Sequence, residues 1–474
     1  MRISVVGLGY VGLVTSAGFA EWGHDVTGVE ASPSRLHALL QGRVPFHEPG
    51  LDDIVVRGQS AGRLKFSSPG AQAVMNADVV ITAVGTHDGN GGWQTDTMRQ
   101  CLEGIVAHMA DHAVLVVRST LPPEFIRELP AIVDGLRAGA KRDPIPVLTN
   151  PEFTREGRAV HDFMHPERVV IGVASDPRGR GAQLLAKAYA LVEGPMLTMS
   201  AVDASFAKLG SNLFLATKIS FANELAALCQ AHGANITRVV EAMALDSRIG
   251  GQFLRPGVGF GGSCLPHQVS MTARAGIAEG VPTPLISAVE EVNTHQRHRF
   301  VELLAEALGR DGLSGVRVAL LGLTFKPDTD DLRDAPALTI ARLLIERGAT
   351  VVAYDPMPTA RLRAGAIVDG LELADSAIAT FDGADAAGLV TEWSEFAQIN
   401  WADAASRMAS PVMVDGRNFL DPAIMRINGF RYLDFGRHMD EVSSAYDIAL
   451  PIAPRPEALP AAQAVESAER VVVG

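Results

Sequence analysis

Cysteine is scarce: Cys101, Cys229 and Cys264 are the only three in 474 residues. They are too few and too far apart for a disulfide framework or a paired-cysteine zinc site, so no metal is expected. Positive charge is short as well, with 41 Lys and Arg against 54 Asp and Glu and a formal net charge of −13. A protein built for nucleic acid carries a basic footprint, which excludes nucleic acid as the main partner. An anionic small molecule stays open, because a few local Arg and Lys can hold one. No apolar run approaches the ~20 residues of a membrane helix, so no membrane partner is expected. Met1-Arg2 runs straight into an apolar stretch without the layout of a secretory leader, so the expected setting is the cytoplasm. No short-period repeat is visible. The remainder is ordinary for a globular chain, 47% hydrophobic and 20% charged. The length suits roughly two to four domains.

Apolar runs at 3–6, 25–30, 78–84, 113–117, 146–149 and 168–173 alternate with stretches of helical period. That rhythm predicts a parallel sheet with crossover helices. Residues 201–232 form one long helical pattern, apolar nearly all round, which predicts a buried helix. A second helical pattern covers 284–308. The strand rhythm then restarts at 316–321, with Gly322 after it, a helical stretch to 347 and another strand at 350–354. The expected fold class is α/β, with two Rossmann-like doubly wound domains joined by a long central helix or helical region. The expected division is 1–200 for dinucleotide binding, 201–309 for a central helical domain with a cysteine loop, and 310–450 for the second Rossmann-like domain. Residues 451–474, rich in Pro and Ala, read as a disordered tail.

Gly7, Gly9 and Gly12 stand in GxGxxG register directly after the first strand and open a helical stretch. The first glycine makes the turn, the second admits a pyrophosphate, and the third lets helix and strand pack closely. The helix N-terminus supplies free N–H groups for phosphate. Glu30 ends the second strand, 18 residues after Gly12. A carboxylate there accepts from both ribose hydroxyls and repels a 2′-phosphate, so NAD is expected rather than NADP.

Three further segments carry chemistry. Residues 150–157 follow a strand, where α/β sheets place reactive groups, and offer Glu152 and Glu156. Lys208 and Asn212 are four apart on the long helix and share a face. Residues 257–268 crowd glycines just before Cys264, presenting a thiol on a tight loop as a candidate nucleophile.

Together these segments resemble the UDP-glucose/GDP-mannose dehydrogenase family. The resemblance runs from residue 1 to about 440. It rests on Gly7-Leu-Gly-Tyr-Val-Gly12, Glu48-Pro-Gly-Leu51, Val84-Gly-Thr86, Ser119-Thr120 and Asn150-Pro-Glu-Phe153. Further along come Lys208-Leu-Gly-Ser-Asn212, Gly259-Phe-Gly-Gly-Ser-Cys264, Phe325-Lys326 and Asp415-Gly-Arg417. Pro166-Glu-Arg-Val-Val-Ile-Gly172 and Asp246-Ser-Arg-Ile-Gly250 resemble the UDP-glucose branch.

The resemblance implies oxidation of a nucleotide sugar, UDP-glucose by that lean, from the C6 alcohol to the uronate in two NAD-dependent steps. It implies that Tyr10, Val11, Arg35, Gly85, Thr86, Thr120 and Glu156 join Gly7, Gly9, Gly12 and Glu30 in holding NAD. Thr120 and Lys208 would serve the first oxidation with an ordered water, Glu152 lying nearby. Lys208 and Asn212 would steady the oxyanion, and Cys264 would carry the thiohemiacetal and thioester. Glu152, Phe153, Lys208, Asn212, Phe253, Arg255 and Gly261 would contact the substrate from the first two domains. Phe325, Lys326 and Arg417 would contact it from the third, which would bind UDP. Arg248 would reach across from a neighbouring subunit, making the chain a homodimer or higher homo-oligomer.

One departure stands out. The family reads Cys-x-x-Lys-Asp, and here the last two positions are His267 and Gln268. Glutamine hydrogen-bonds a water but does not take its proton. Two alternatives therefore stay open beside the four-electron enzyme. One is a variant with impaired thioester hydrolysis or another nucleotide sugar. The other is a non-catalytic nucleotide-sugar-binding protein.

Overall fold

Short aliphatic runs make the strands of two sheets. The computed structural model describes residues 1–86 and 92–437. The expected 451–474 tail lies outside the described residues. The first sheet contains β1 (Arg2–Val6), β2 (Asp25–Val29), β3 (Leu64–Ser67), β4 (Val79–Thr82), β5 (Val114–Val117), β6 (Val147–Thr149), β7 (Val169–Ser175) and β8 (Met196–Ser200). Its order is β3-β2-β1-β4-β5-β6-β7-β8. Every residue of β4 and β5 is buried, as expected where helices cover both faces of a sheet. The second sheet contains β9 (Arg317–Leu321), β10 (Thr350–Tyr354), β11 (Glu372–Leu373), β12 (Ala386–Leu389), β13 (Val412–Asp415) and β14 (Arg431–Asp434). Its order is β11-β10-β9-β12-β13-β14. Both orders reverse direction beside their first strand, between β1 and β4 and between β9 and β12. The crevice outside the strand ends at such a switch point is where doubly wound sheets take ligands.

Several details differ from the sequence reading. β7 runs antiparallel to β6, so the first sheet is mixed. The apolar pattern marks a strand without giving its direction. β3 and β8 were not anticipated. β8 is an edge strand with mostly exposed side chains, so it leaves no buried apolar run to see.

The long helix Ala201–Ala231 is capped by the Ser200 side chain, which accepts from the Asp203 N–H at 3.1 Å. The expectation of burial all round is corrected: Phe206, Phe214, Phe221 and Leu228 are 50–65% exposed. Their spacing of seven or eight residues puts them in one line along the helix. The opposite side packs on helices Leu265–Ala278 and Pro284–Leu308 through a small core of Ala216, Phe260, Val269 and Val289. Helix Pro284–Leu308 continues to the second sheet, where the Phe300 ring packs on Gly388 and Gly416. Among the described residues no helix is long and apolar enough to cross a membrane.

Candidate active site

The glycine turn after β1 separates packing from access. A Cβ on Gly12 would lie 1.8 Å from the Gly7 carbonyl oxygen, so this position closes helix Tyr10–Glu21 onto the strand. A Cβ on Gly9 would meet nothing within 4 Å. Gly9 is also the N-cap of that helix, with no side chain bonded to its free N–H groups. Open space in front of unpaired donors at a switch point fits a pyrophosphate. Glu30 stands at the end of β2. Its Oε1 accepts from the Ser32 N–H at 2.9 Å, and its Oε2 lies 3.6 Å from Arg35 Nε. Arg35 also donates to the Leu8 carbonyl at 2.6 Å, so its charge is engaged. Across the crevice, after β4, Gly85 has open space and the Thr86 hydroxyl donates to the Thr120 carbonyl at 2.8 Å. The turn carries Tyr10 and Val11 on its first helical residues, and the Tyr10 hydroxyl accepts from the Gly157 N–H at 2.9 Å.

Beyond β6 the chain turns through Glu152, and the long helix brings Lys208 to it. Lys208 Nζ donates to Glu152 Oε1 at 3.0 Å, with the two side chains only 4% and 9% exposed. Glu152 Oε2 accepts from the Thr154 amide and hydroxyl at 2.7 and 2.6 Å. Burial pushes the Glu152 carboxyl up, but Lys208, Thr154 and Arg118 outweigh it and hold the group below the usual carboxylate range. Phe153 lies beside them, with Lys208 Nζ 5.4 Å and the Arg168 guanidinium 3.9 Å from its ring centre.

One turn along the long helix, Asn212 Nδ2 donates to Gln268 Oε1 at 2.9 Å. Gln268 is buried in the first turn of helix Leu265–Ala278, and its backbone N–H donates to the Cys264 carbonyl at 3.0 Å. Cys264 is the N-cap of that helix, where the positive helix end favours a thiolate. The residue reaches solvent while protein rings it. That enclosure pushes the thiol up, the Lys208 charge pulls it down, and Glu152 and Glu156 add upward pressure.

The cysteine loop is wedged between helices and the second sheet. A Cβ on Gly262, whose φ is +85°, would meet the Phe325 ring at 2.7 Å. Gly261 lies against the Asp334 carbonyl. Asn293 clasps Phe260 from both sides, its Oδ1 accepting at 2.7 Å and its Nδ2 donating at 3.1 Å. Arg417 braces the same region, donating to Val390, Gly259 and Phe325 carbonyls at 2.6, 3.1 and 3.3 Å. Ser263 Oγ donates to Glu156 Oε1 at 3.3 Å and lies 3.6 Å from Cys264 Sγ. Arg333 reaches Glu156 at 3.1 Å and Asp331 at 2.6 Å. Burial and the Asp331 charge push the Glu156 carboxyl up to about 7. Burial pulls the Lys326 ammonium down, while the nearby Glu156, Glu48 and Cys264 oppose that.

The second sheet treats its switch point differently. Asp355, at the end of β10, accepts from the Leu323 and Thr324 N–H groups at 2.7 and 3.0 Å and from Trp393 Nε1 at 3.2 Å. The chain's own carboxylate thus occupies the loop N–H groups just after β9, well ahead of helix Pro336–Glu346.

The structure brings together Glu152, Phe153, Lys208, Asn212, Cys264, Gln268, Glu156, Gly261, Phe325, Lys326 and Arg417. It does not bring Arg248 to them. That side chain is 87% exposed and pairs with Asp246 at 2.6 Å. Arg255 is exposed, and Phe253 is half-buried at φ +65°. Sequence reasoning assigned no role to Glu48, Asn293, Asp331 or Arg333. Glu48 is buried and accepts from the Gly157 and Ala159 N–H groups at 2.6 and 2.7 Å. Its only signal was its place in the Glu48-Pro-Gly motif.

The profile of the UDP-glucose/GDP-mannose dehydrogenase family matches in three parts. The NAD binding domain matches residues 1–192, the central domain 202–295 and the UDP binding domain 319–422. A UDP-glucose 6-dehydrogenase of Pseudomonas aeruginosa is 40% identical over 443 residues, covering 92% of this chain and 98% of that one. One of Rhizobium meliloti is 36% identical over 442 residues, covering 92% and 100%. Among solved structures, a UDP-glucose dehydrogenase from Pyrobaculum islandicum superposes with a TM-score of 0.83 at 36% identity, covering 92% and 98%. A UDP-D-ManNAc dehydrogenase from Pyrococcus horikoshii gives 0.80 at 27%, covering 92% and 99%.

Proposed function

The chain belongs to the UDP-glucose/GDP-mannose dehydrogenase family, and from that premise we propose that it oxidises the C6 alcohol of UDP-glucose to the uronate. Its cofactor is NAD. The observation that carries the reading is the buried Lys208–Glu152 pair beside the Cys264 thiol. When bound, NAD accepts a hydride in each oxidation. The residues that would hold it are the Gly9-Tyr10-Val11 turn, Glu30 and Thr86.

The chain's own groups do the rest. Glu152, held ionised, relays the alcohol proton onward through water and the Thr120 region rather than keeping it. Lys208 and one N–H of Asn212 meet the negative oxygen that develops as the proton leaves. The aldehyde has no hydride to give until something adds to it. Cys264 Sγ bonds to its carbonyl carbon and the oxygen takes a proton, giving a thiohemiacetal. Loss of hydride and that proton leaves a thioester. Water then adds to the acyl carbon, the C–S bond breaks, and sulfur leaves as thiolate to give the uronate.

Identity to UDP-glucose 6-dehydrogenases supports glucose as the sugar. The free crevice of the first sheet supports NAD there, and the match of residues 319–422 to the UDP binding domain supports the UDP end at the second domain. The sheets, ending at Ser200 and restarting at Arg317, support the division near 200 and 310. The exposed stripe Phe206, Phe214, Phe221 and Leu228 supports a homo-oligomer. Use of NAD supports a cytoplasmic setting.

A second reading of the last step rests on Gln268. The Asn212–Gln268 bond keeps the geometry a carboxylate would have, without its charge or basicity. Hydrolysis of the acyl-cysteine is then the slow step. A panel of nucleotide sugars, followed by NADH absorbance and product mass, tests the proposal. UDP-glucose should be turned over and GDP-mannose ignored. Binding of GDP-mannose alone by calorimetry, or a preference for NADP, would contradict it.

A further inference from the structure

Arg118 directly follows β5, immediately before Ser119-Thr120. It is 5% exposed, and among the described residues no carboxylate stands within ion-pair distance of it. Its Nη1 donates to Asn150 Oδ1 at 2.6 Å, to the Asn150 carbonyl at 3.4 Å and to the Tyr189 hydroxyl at 3.0 Å. Tyr189 in turn donates to Asn150 Oδ1 at 2.6 Å, and Asn150 Nδ2 donates to the Val170 carbonyl of β7 at 2.8 Å. The guanidinium lies 5.7 Å from the Phe163 ring centre, beside an aromatic group of Phe19, Trp22, Phe163 and Tyr189. Its Nε is buried without a hydrogen bond.

A buried cation without a bonded anion is costly, and an apolar side chain of the same length would pack there at less cost. What the cost accompanies is the turn it grips. Asn150, Pro151 and Glu152 are consecutive, so fixing both polar ends of Asn150 fixes where Glu152 leaves the sheet.

We propose that Arg118 is a positioning residue, which grips Asn150 and Tyr189 so that the Asn150–Glu152 turn delivers Glu152 to Lys208. This rests on the reading of Glu152 and Lys208 as the pair that handles the alcohol proton. The charge adds a second effect. Glu152 faces Lys208 from the long helix, the Thr154 hydroxyl from its own loop, the Cys264 thiol across the site and Arg118 from the turn after β5. Tyr189 faces Arg118 from its far side, and Arg168 covers Phe153. Arg118 and Lys208 together favour the carboxylate, Lys208 by a direct bond and Arg118 by its charge.

The test reads Glu152 directly. Full-length protein is labelled with carboxyl-¹³C glutamate, the Glu152 signal is assigned from Glu152→Gln, and its titration is followed in wild type, Arg118→Met and Arg118→Lys. With the charge gone, the Glu152 midpoint should move up by roughly one pH unit in Arg118→Met, and stay in place in Arg118→Lys. With the fork lost, kcat should fall ~10–100-fold in both variants while KM for the nucleotide sugar changes little. A folded Arg118→Met with wild-type titration and kcat would reduce the residue to a structural part and overturn the proposal. If Arg118→Met does not fold, Arg118→Lys decides: reduced kcat with the midpoint unmoved supports the proposal, and wild-type kcat overturns it. Wild-type protein idle on every nucleotide sugar would sink the enzymatic reading instead, and the titration would still judge Arg118.

Discussion

Lys208 and Glu152 share one buried space, so neither is removed without leaving the other's charge behind. Lys208→Met should cost ~10²–10³ in turnover through the lost oxyanion donor. It should also destabilise the fold by about 3–5 kcal/mol, because the Glu152 carboxylate stays buried without its partner. Thermal melting beside steady-state kinetics reads both. An unchanged melting temperature would mean that Glu152 finds another cation. Cys264→Ser should block the second oxidation far more than the first, since little serine ionises at neutral pH. The yield should drop to one NADH or less per sugar, with aldehyde left on the enzyme. Two NADH per sugar from that variant would make Cys264 structural. Gln268→Asp keeps an acceptor for Asn212 Nδ2 and adds a base. It should raise steady-state turnover and shrink an initial NADH burst in rapid mixing. If it slows the enzyme instead, water is activated elsewhere, and Glu156 is the other carboxyl linked to the thiol, through Ser263.

The long helix carries two messages on two faces. Its inner face sets Lys208 and Asn212 into the site. Its outer line of Phe206, Phe214, Phe221 and Leu228 is too apolar to be left to water. Phe214→Glu with Phe221→Glu should drive the protein to monomer in sedimentation equilibrium, and a wild-type mass there would discard this face as the contact. The sequence pattern showed the helix and its apolar character. It did not show the exposed line, because apolar residues spread nearly all round leave no polar stripe to mark the outside. Lys208 and Asn212 were legible from their spacing of four. Arg333, Asp331 and Asn293 were not, because each acts through partners more than thirty residues away or within an irregular loop that periodicity cannot place. The Glu156 carboxyl that Arg333 meets has a measurable pH signature. Glu156 is raised in the folded state, to about 7, so the folded protein keeps a proton that the unfolded chain releases at an ordinary glutamate value. Stability from this group therefore falls as pH rises from ~4.3 to about 7. Glu156→Gln should melt higher than wild type at ~pH 8 and equally near ~pH 4. The reverse order would place the raised carboxyl elsewhere.

Across the whole molecule, two sheets of the same winding do different jobs because of what stands at each switch point. Gly9 leaves helix donors free after β1, whereas after β9 Asp355 takes the loop N–H groups of Leu323 and Thr324. The glycine register and Glu30 made the first legible from sequence. The second was visible only as a strand, Gly322 and a helix, since Asp355 lies 33 residues beyond Gly322 and carries no motif. The mixed direction of the first sheet was likewise hidden, as apolar runs carry no arrow. Between the sheets, the cysteine loop is held by Phe325, Asn293 and Arg417, so the thiol's position depends on the assembled chain. The central claim is a four-electron oxidation carried covalently on that thiol. The measurement that tests it most directly is intact-mass spectrometry of the enzyme quenched during turnover of UDP-glucose with NAD, with NADH and uronate counted in the same reaction. The account predicts an acyl-sugar adduct on the Cys264 peptide and two NADH for each uronate formed. Full turnover to uronate with no adduct at Cys264, or one NADH per sugar with aldehyde released, would contradict it.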